Sequence, residues 1–175
     1  ANLAFSASVQ EEEIPCFGIS GVDAADFAAW REKDRVCKLF VRAERHDGRI
    51  SAFVCPTLFP AASPVAQTNG TGNLVTLRCA RVGELSFSGA GAGGYPTGSS
   101  VLSDCVDILA GCQSFYVSQH EAKHIDNSAA VSRFYLRTGA QSSCTEPISV
   151  AEAFARADAA RGCGEQVFLA RIEEE

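Results

Sequence analysis

The run Gly89-Ala90-Gly91-Ala92-Gly93-Gly94 constrains this chain more than any other stretch. Glycines this dense weaken both strands and helices, so the run marks a turn. Just before it, Leu85 and Phe87 alternate as in a half-buried strand. Pro96, two residues after it, suits a first helical turn, where a missing N–H costs nothing. The spacing predicts a strand, a glycine turn and a helix running to about Leu109, with Val101, Leu102, Cys105, Ile108 and Leu109 as its buried stripe. Such a turn lets a ligand approach the backbone closely, and the helix start offers N–H groups and a partial positive charge. Gly89, Gly91 and Gly94 also satisfy G-x-G-x-x-G. A dinucleotide fingerprint needs βαβ context and an acidic residue after the next strand, and neither follows here. The loop therefore reads as a glycine turn that touches a ligand.

The remaining pattern is α+β. Asp23 to about Lys33 reads as a helix, with Asp23 as cap, Asp26 three residues on, and Ala24, Phe27 and Trp30 on one face. Lys38–Glu44 and the Ile50, Ala52, Val54 alternation read as two strands joined at His46-Asp47-Gly48. Pro56 to Gly72 reads as a long loop, Val75, Leu77 and Cys79 as a third strand, and Leu85 and Phe87 as a fourth. Gln119 to Ala130 reads as a polar linker or exposed helix. The tail reads as strand (Ser132–Thr138), helix (Ser149–Arg161) and strand (Gln166–Ile172), with a Ser149/Glu152 capping box and Val150, Phe154 and Ala157 facing inward. The expectation is a mostly antiparallel sheet with helices on one face, followed by a small βαβ tail whose outer strand edges are unpaired.

Charge and cysteine usage narrow the class. With 15 basic against 21 acidic residues the net charge is −6, and no basic run exists to neutralise phosphates, so nucleic-acid binding is not expected. No apolar stretch is long enough to span a membrane, and none opens the chain as a secretory signal. The eight cysteines are scattered without a C-x-x-C, mostly in apolar runs such as those around Cys37, Cys55 and Cys79. They read as small hydrophobes in a reduced, cytoplasmic setting. The sequence opens at Ala1 and contains no Met, which reads as a piece of a longer chain.

His120-Glu121-Ala122-Lys123-His124 matches H-E-x-x-H, in which two imidazoles one helical turn apart bind zinc and the glutamate polarises water. Lys123 sets a cation beside that site, the flanks are polar, and neither Glu146 nor Asp158 supplies a third ligand through any motif. A solvated linker with no metal is the expectation. Lys38 reads as snorkelling from a sheet edge, and Asp104 and Asp107 as the polar face of their helix.

The stretch Val82 to Asp104 follows V-G-x-L-x-x-x-G-x-G-A-G-x-x-P-T-[AG]-x-x-V-x-x-D and closely resembles homoserine dehydrogenases. Phe17-Gly18-Ile19 with the Asp23 helix, Val36-Cys37-Lys38-Leu39, and Val54-Cys55-Pro56 with Asn73 resemble further family segments in family order. The resemblance divides the chain into a catalytic and dimerisation portion (residues 1–112), a linker (113–131) and a partial ACT-like tail (132–175). It implies NAD(P)-dependent interconversion of L-homoserine and aspartate 4-semialdehyde. It also implies that the nucleotide-binding Rossmann domain, the acidic substrate-binding residues and the catalytic lysine precede Ala1, so that no catalytic residue lies in this chain and the chain alone is inactive. Gly91, Ala92 and Gly93 are the residues it places at the cofactor. The partners it implies are that nucleotide-binding domain and a second copy bound through the sheet. Ser132–Thr138 resembles the start of the ACT module, but the turn Gly139–Pro147 lacks the family's D-x-P-G. A non-catalytic module that binds an amino-acid effector stands as the alternative.

Overall fold

The computed structural model describes residues 1–112, 121–122 and 124–174. In chain order the elements are α1 (Asn2–Phe5), β1 (Ala7–Ser8), a 3-10 turn (Glu11–Glu13), α2 (Ala24–Arg31), β2 (Arg35–His46), β3 (Arg49–Pro60) and α3 (Pro64–Gln67). They continue with β4 (Gly72–Cys79), β5 (Gly83–Ala90), α4 (Gly94–Leu109), β6 (Glu121–Ala122), β7 (Val131–Thr138), β8 (Gln141–Cys144), β9 (Ile148–Ser149), α5 (Val150–Gly162) and β10 (Val167–Ile172). The chain divides into two compact units, Ala1–Ala61 with Val117–Glu175, and Ala62–Tyr116.

The first unit is built on a sheet of order β2-β3-β10-β7-β8, in which β9 also pairs with β7. The long β2–β3 hairpin closes at Asp47 and Gly48, both at positive φ, the backbone of a two-residue turn that matches strand twist. The loop expected from Pro56 is corrected, because β3 continues to Pro60. The Ala52, Val54 and Leu58 backbones bond on the side away from β2, to Asn127, Pro15 with Phe17, and Glu173. Pro56 falls between Val54 and Leu58 on that same side, where pairing passes from Cys16 to β10, so its missing N–H leaves no ladder bond unmade.

The tail is also corrected. β10 lies between β3, to which it runs parallel, and β7, to which it runs antiparallel. β7 is flanked in turn by β10 and β8. The strand edges expected to be open at 132–138 and 166–172 are therefore interior to the sheet. Their apolar content explains why: Phe134, Phe168, Leu169 and Ala170 are fully buried. α5 covers its part of the core with Val150, Ala153, Phe154 and Ala157, the i, i+3, i+4, i+7 stripe of an amphipathic helix. Ser149 caps it by accepting from the Glu152 N–H at 3.1 Å, but the box does not close, because the Glu152 carboxylate pairs with Arg156 at 2.6 Å.

Residues 124–130 are not a free linker. Ile125 bridges to Ile50, Asp126 N–H donates to the Ile50 carbonyl at 2.8 Å, and β6 pairs with β1. Six of the eight cysteines are exposed, Cys79 among them; only Cys55 is buried and Cys37 half-buried. Burial pushes both of these thiols up to about 12.

The second unit holds α3, the β4–β5 hairpin and α4. Cross-strand pairs Val75–Phe87 and Leu77–Leu85 give one face of the hairpin its apolar character, while Thr76–Ser86 and Arg78–Glu84 bond on the other. The stripe expected to be buried on α4 is exposed: Val101, Leu102, Ile108 and Leu109 range from 56 to 88 % accessible. One hairpin and one helix cannot enclose a core of their own.

Candidate functional site

The glycine turn is assembled from β4, β5 and the start of α4. β5 pairs with β4 as far as Gly72–Ala90, and the Gly91 N–H extends the ladder by donating to the Thr71 carbonyl at 2.8 Å. A Cβ on Gly91 would lie 1.7 Å from Nδ2 of the exposed Asn73, whose side chain would have to swing aside. Gly93 is required by its own backbone. Its φ of 115° is a conformation that residues with a Cβ avoid, and it turns the chain from strand into helix. Gly91, Ala92 and Gly93 thus form one exposed turn, as the sequence predicted.

α4 begins at Gly94, two residues before the expected Pro96, and Thr97 N–H closes its first turn on the Gly93 carbonyl at 3.1 Å. Gly94 and Tyr95 keep N–H groups without an intrahelical acceptor, and Pro96 has none. No acidic residue sits in this first turn and no side chain caps it. The helix start therefore presents a partial positive charge with no resident counter-charge. A Cβ on Gly94 would meet nothing within 4 Å, so there is room over the turn. This arrangement can accept a ligand's polar or anionic group against bare backbone.

The H-E-x-x-H segment does not form a helix where it is described. His120 and Lys123 lie outside the described residues, Glu121 belongs to β6, and His124 is a 93 % exposed side chain whose Nδ1 lies 2.8 Å from Glu13 Oε1. The Gln10 backbone N–H, and then the His124 ring, hold the Glu13 carboxyl below its usual range. No cluster that could hold a metal exists among the described residues. Lys38 sits within β2 opposite Thr57 and is half-buried.

Sequence reasoning missed a buried polar cluster in the first unit. Asp26 is fully buried and accepts from Tyr135 Oη at 2.7 Å, Arg137 Nε at 2.9 Å and the Asp23 N–H at 3.0 Å. Arg137 also donates to the Gly21 carbonyl at 2.7 Å and lies 3.4 Å from Asp23 Oδ2. Burial opposes ionisation of Asp26, but bonds from Arg137, Asp23 and Tyr135 outweigh it and hold the carboxyl below its usual value. Burial, and then the Asp26 carboxylate, push the Tyr135 phenol up to about 12, so it stays a donor at neutral pH. The clue in the sequence was Arg137, a cation two residues from Tyr135 and hence on the same face of a strand. α2 turns Asp26 and Trp30 inward, not the expected Ala24 and Phe27.

A sequence model of the family described as homoserine dehydrogenase matches residues 1–106. This chain belongs to the homoserine dehydrogenase family. Homoserine dehydrogenase of Corynebacterium glutamicum is 38 % identical over 111 residues, covering 61 % of this chain and 25 % of that protein. Its counterpart from Bacillus subtilis is 35 % identical over 109 residues, covering 62 % and 25 %. The solved homoserine dehydrogenase of Thiobacillus denitrificans superimposes with a TM-score of 0.70 at 22 % identity, covering 99 % of this chain and 50 % of that one. That of S. aureus gives 0.66 at 21 %, covering 99 % and 51 %. This family member thus spans about a quarter of the curated relatives and half of the solved chains. Both structural matches take in the strands after residue 131 as well, which shows their fold and no more.

Proposed function

We propose that this chain is the substrate-domain portion of an oxidoreductase that interconverts L-homoserine and aspartate 4-semialdehyde, with Gly91, Ala92 and Gly93 lying against NAD(P). Family membership through the segment that contains the glycine turn carries this reading. The turn fits the cofactor: its backbone is bare, the first turn of α4 holds no acidic residue, and Gly93 leaves space where a Cβ would stand. The cofactor, when bound, accepts or supplies hydride. This chain's part is to bring backbone close to it and to shape one wall of the site. Proton transfer and substrate carboxylate binding are assigned to residues outside these 175, as is the rest of the nucleotide site. The setting proposed is the cytoplasm; among the described residues no helix is long and apolar enough to cross a membrane.

A two-fold dimer is part of the proposal, supported by exposed apolar faces on β4, β5 and α4 that nothing else in the second unit covers. The test is turnover of homoserine with NAD and with NADP, by this chain alone and by the longer protein carrying Gly93→Val. The chain alone is expected to show none, and Gly93→Val to raise the cofactor KM in the longer protein. Turnover by the chain alone, or unchanged cofactor kinetics in Gly93→Val, would remove the reading.

A second reading, an amino-acid-binding regulatory role for residues 132–175, has one observation in its favour. A cavity of about 180 Å³ lies against this segment, floored by Trp30, Leu58, Tyr135 and Ile172 and flanked by Lys33 and Arg35. Two cations beside an apolar floor suit a small carboxylate ligand. Calorimetric titration with the protein amino acids, in the wild type and in Lys33→Ala, tests it.

A further inference from the structure

We propose that the cavity at the end of α2 in the first unit binds an apolar monocarboxylate that carries no ammonium group. The cavity, about 180 Å³, is lined by residues of α2 and of the strands β2, β3, β7, β8 and β10. Its body is apolar, made by Ala29, Trp30, Leu58, Tyr135 and Ile172. An apolar cavity of about 150 Å³ admits benzene. This one therefore holds a hydrocarbon of about six carbons, with room left for a small head group.

The charges of the lining decide the head group. Lys33 and Arg35 flank the cavity, and among the described residues none that lines it is acidic. Lys33 Nζ lies 3.8 Å from Cys144 Sγ, a weak acceptor, and pairs with no carboxylate among the described residues. Arg35 gives Nη1 to the Glu173 carbonyl and pairs with no carboxylate among them either. Trp30 adds a third donor to this wall: its indole N–H is buried and has no acceptor among the described residues. Tyr135 Oη already donates to Asp26 at 2.7 Å. The Asp26 carboxylate is in turn taken by Tyr135, Arg137 and the Asp23 N–H.

An ionised carboxylate is anionic and only accepts, so it answers donors and cations together. An ammonium is cationic and only donates, and here it would meet two like charges with no carboxylate to offset them. Of the carbonyls that end α2, those of Ala28, Trp30 and Arg31 already accept from the N–H groups of Glu32, Lys33 and Asp34. A zwitterionic amino acid therefore gains at its carboxylate and loses at its ammonium. The same carbon skeleton without the amine only gains. This inference rests on the cavity of the amino-acid reading above and parts from it on that one group. It does not depend on the cofactor reading of the glycine turn.

The experiment titrates the 175-residue chain with isocaproate, with leucine, which is the same skeleton bearing an amine, and with isohexanol, which lacks the charge. Calorimetry gives the affinities. The emission of Trp30, the only tryptophan, reports whether the cavity is the place. Isocaproate should saturate one site and shift that emission. Leucine and isohexanol should each bind at least about tenfold more weakly, the loss of one charge-assisted interaction. Lys33→Ala, at an exposed position, should weaken isocaproate by about the same factor. Leucine binding as tightly as isocaproate would overturn the proposal and leave the amino-acid reading standing. Isohexanol binding as tightly would overturn it too, because the cations would then play no part. So would saturation with unaltered Trp30 emission, or with unaltered affinity in Lys33→Ala, since the site would lie elsewhere. Failure of isocaproate to bind would end the proposal, and failure of leucine as well would end both readings.

Discussion

Asn127 stands in for a strand beside Ala52: its Oδ1 accepts from the Ala52 N–H at 3.1 Å and its Nδ2 donates to the Ala52 carbonyl at 3.1 Å. Ser51 Oγ donates to the same Oδ1 at 2.6 Å. The Asn127 carbonyl in turn accepts from Ala151 N–H in the first turn of α5. One residue thus joins the β3 edge to the helix that closes the core, on the side of β3 where β10 pairs further along.

Replacing Asn127 with Ala leaves the buried Ser51 hydroxyl and the Ala52 peptide groups without these partners. An unmet buried donor or acceptor costs ~1–3 kcal/mol, so a loss of about that size is expected. Urea unfolding should show a lower midpoint with an unchanged slope. A loss under about 0.5 kcal/mol, the range of ordinary surface substitutions, would mean that water replaces the carboxamide freely.

Asp26 and Arg137 are buried together, and removing one leaves the other uncompensated. Arg137→Met is expected to cost ~3–5 kcal/mol. The acid limb gives an independent check. Because the folded carboxyl titrates below its unfolded value of about 3.9, its contribution is complete above that pH and fades as pH falls through the folded value. Asp26→Asn should therefore flatten the decline of stability below about pH 4 relative to wild type. Part of the decline should remain, because Glu44, held low against burial by His46 and then Arg42, and Glu173, held low against burial by Arg171 and Arg42, also lose their charge as the pH falls. An unaltered acid limb in Asp26→Asn would place the linkage elsewhere.

The two glycines of the turn fail differently under substitution. Gly91→Ala drives a Cβ into the carboxamide of the exposed Asn73, and forcing that side chain off its rotamer costs ~0.5–1.5 kcal/mol. Asn73→Gly removes the obstacle, so the pair Gly91→Ala with Asn73→Gly should recover most of that loss. A double-mutant cycle on thermal unfolding reads the coupling. Additive losses would show that Asn73 moves aside and that Gly91 is not there for steric reasons.

What could be read in the sequence was local. Asp47-Gly48 between two alternating runs dictates a hairpin whatever surrounds it, and the glycine run before Pro96 dictates a strand-to-helix turn. The family segments fell in the same stretch, so the turn proposed as the site was legible as a turn. What could not be read depends on partners far along the chain. β10 pairs with β3 across more than a hundred residues, and no local signal separates an interior tail strand from an edge. Asp26 looked like a capping residue because it is one; its burial comes from Arg137, 111 positions on. Pro56 looked like a strand end because the rule against proline is stated for a continuous ladder, and here the ladder changes partner at that residue.

Self-association is the last expectation, and its physical basis is not β7 and β10 of the tail, which are paired on both sides. It lies in the second unit, where Val75, Leu77, Leu85 and Phe87 are 38–59 % accessible on one face of a two-stranded hairpin. A hairpin of two strands is marginal in water until its apolar face is covered. Its opposite face is satisfied by the Thr76–Ser86 bond and the Arg78–Glu84 pair, so the demand for cover is one-sided. One-sided cover suits a closed two-fold contact, in which each copy offers the same face, better than an open stack. Light scattering over a dilution series should give twice the chain mass at high concentration and dissociation on dilution. Val75→Ser with Phe87→Ser, a cross-strand pair at the centre of that face, should move the midpoint to higher concentration by about tenfold or more, given roughly 1.5–3 kcal/mol for each large apolar side chain buried. Thr76→Ala on the opposite face should leave the midpoint in place. A single chain mass at every concentration, or equal effects from the two faces, would show that this hairpin is covered in some other way.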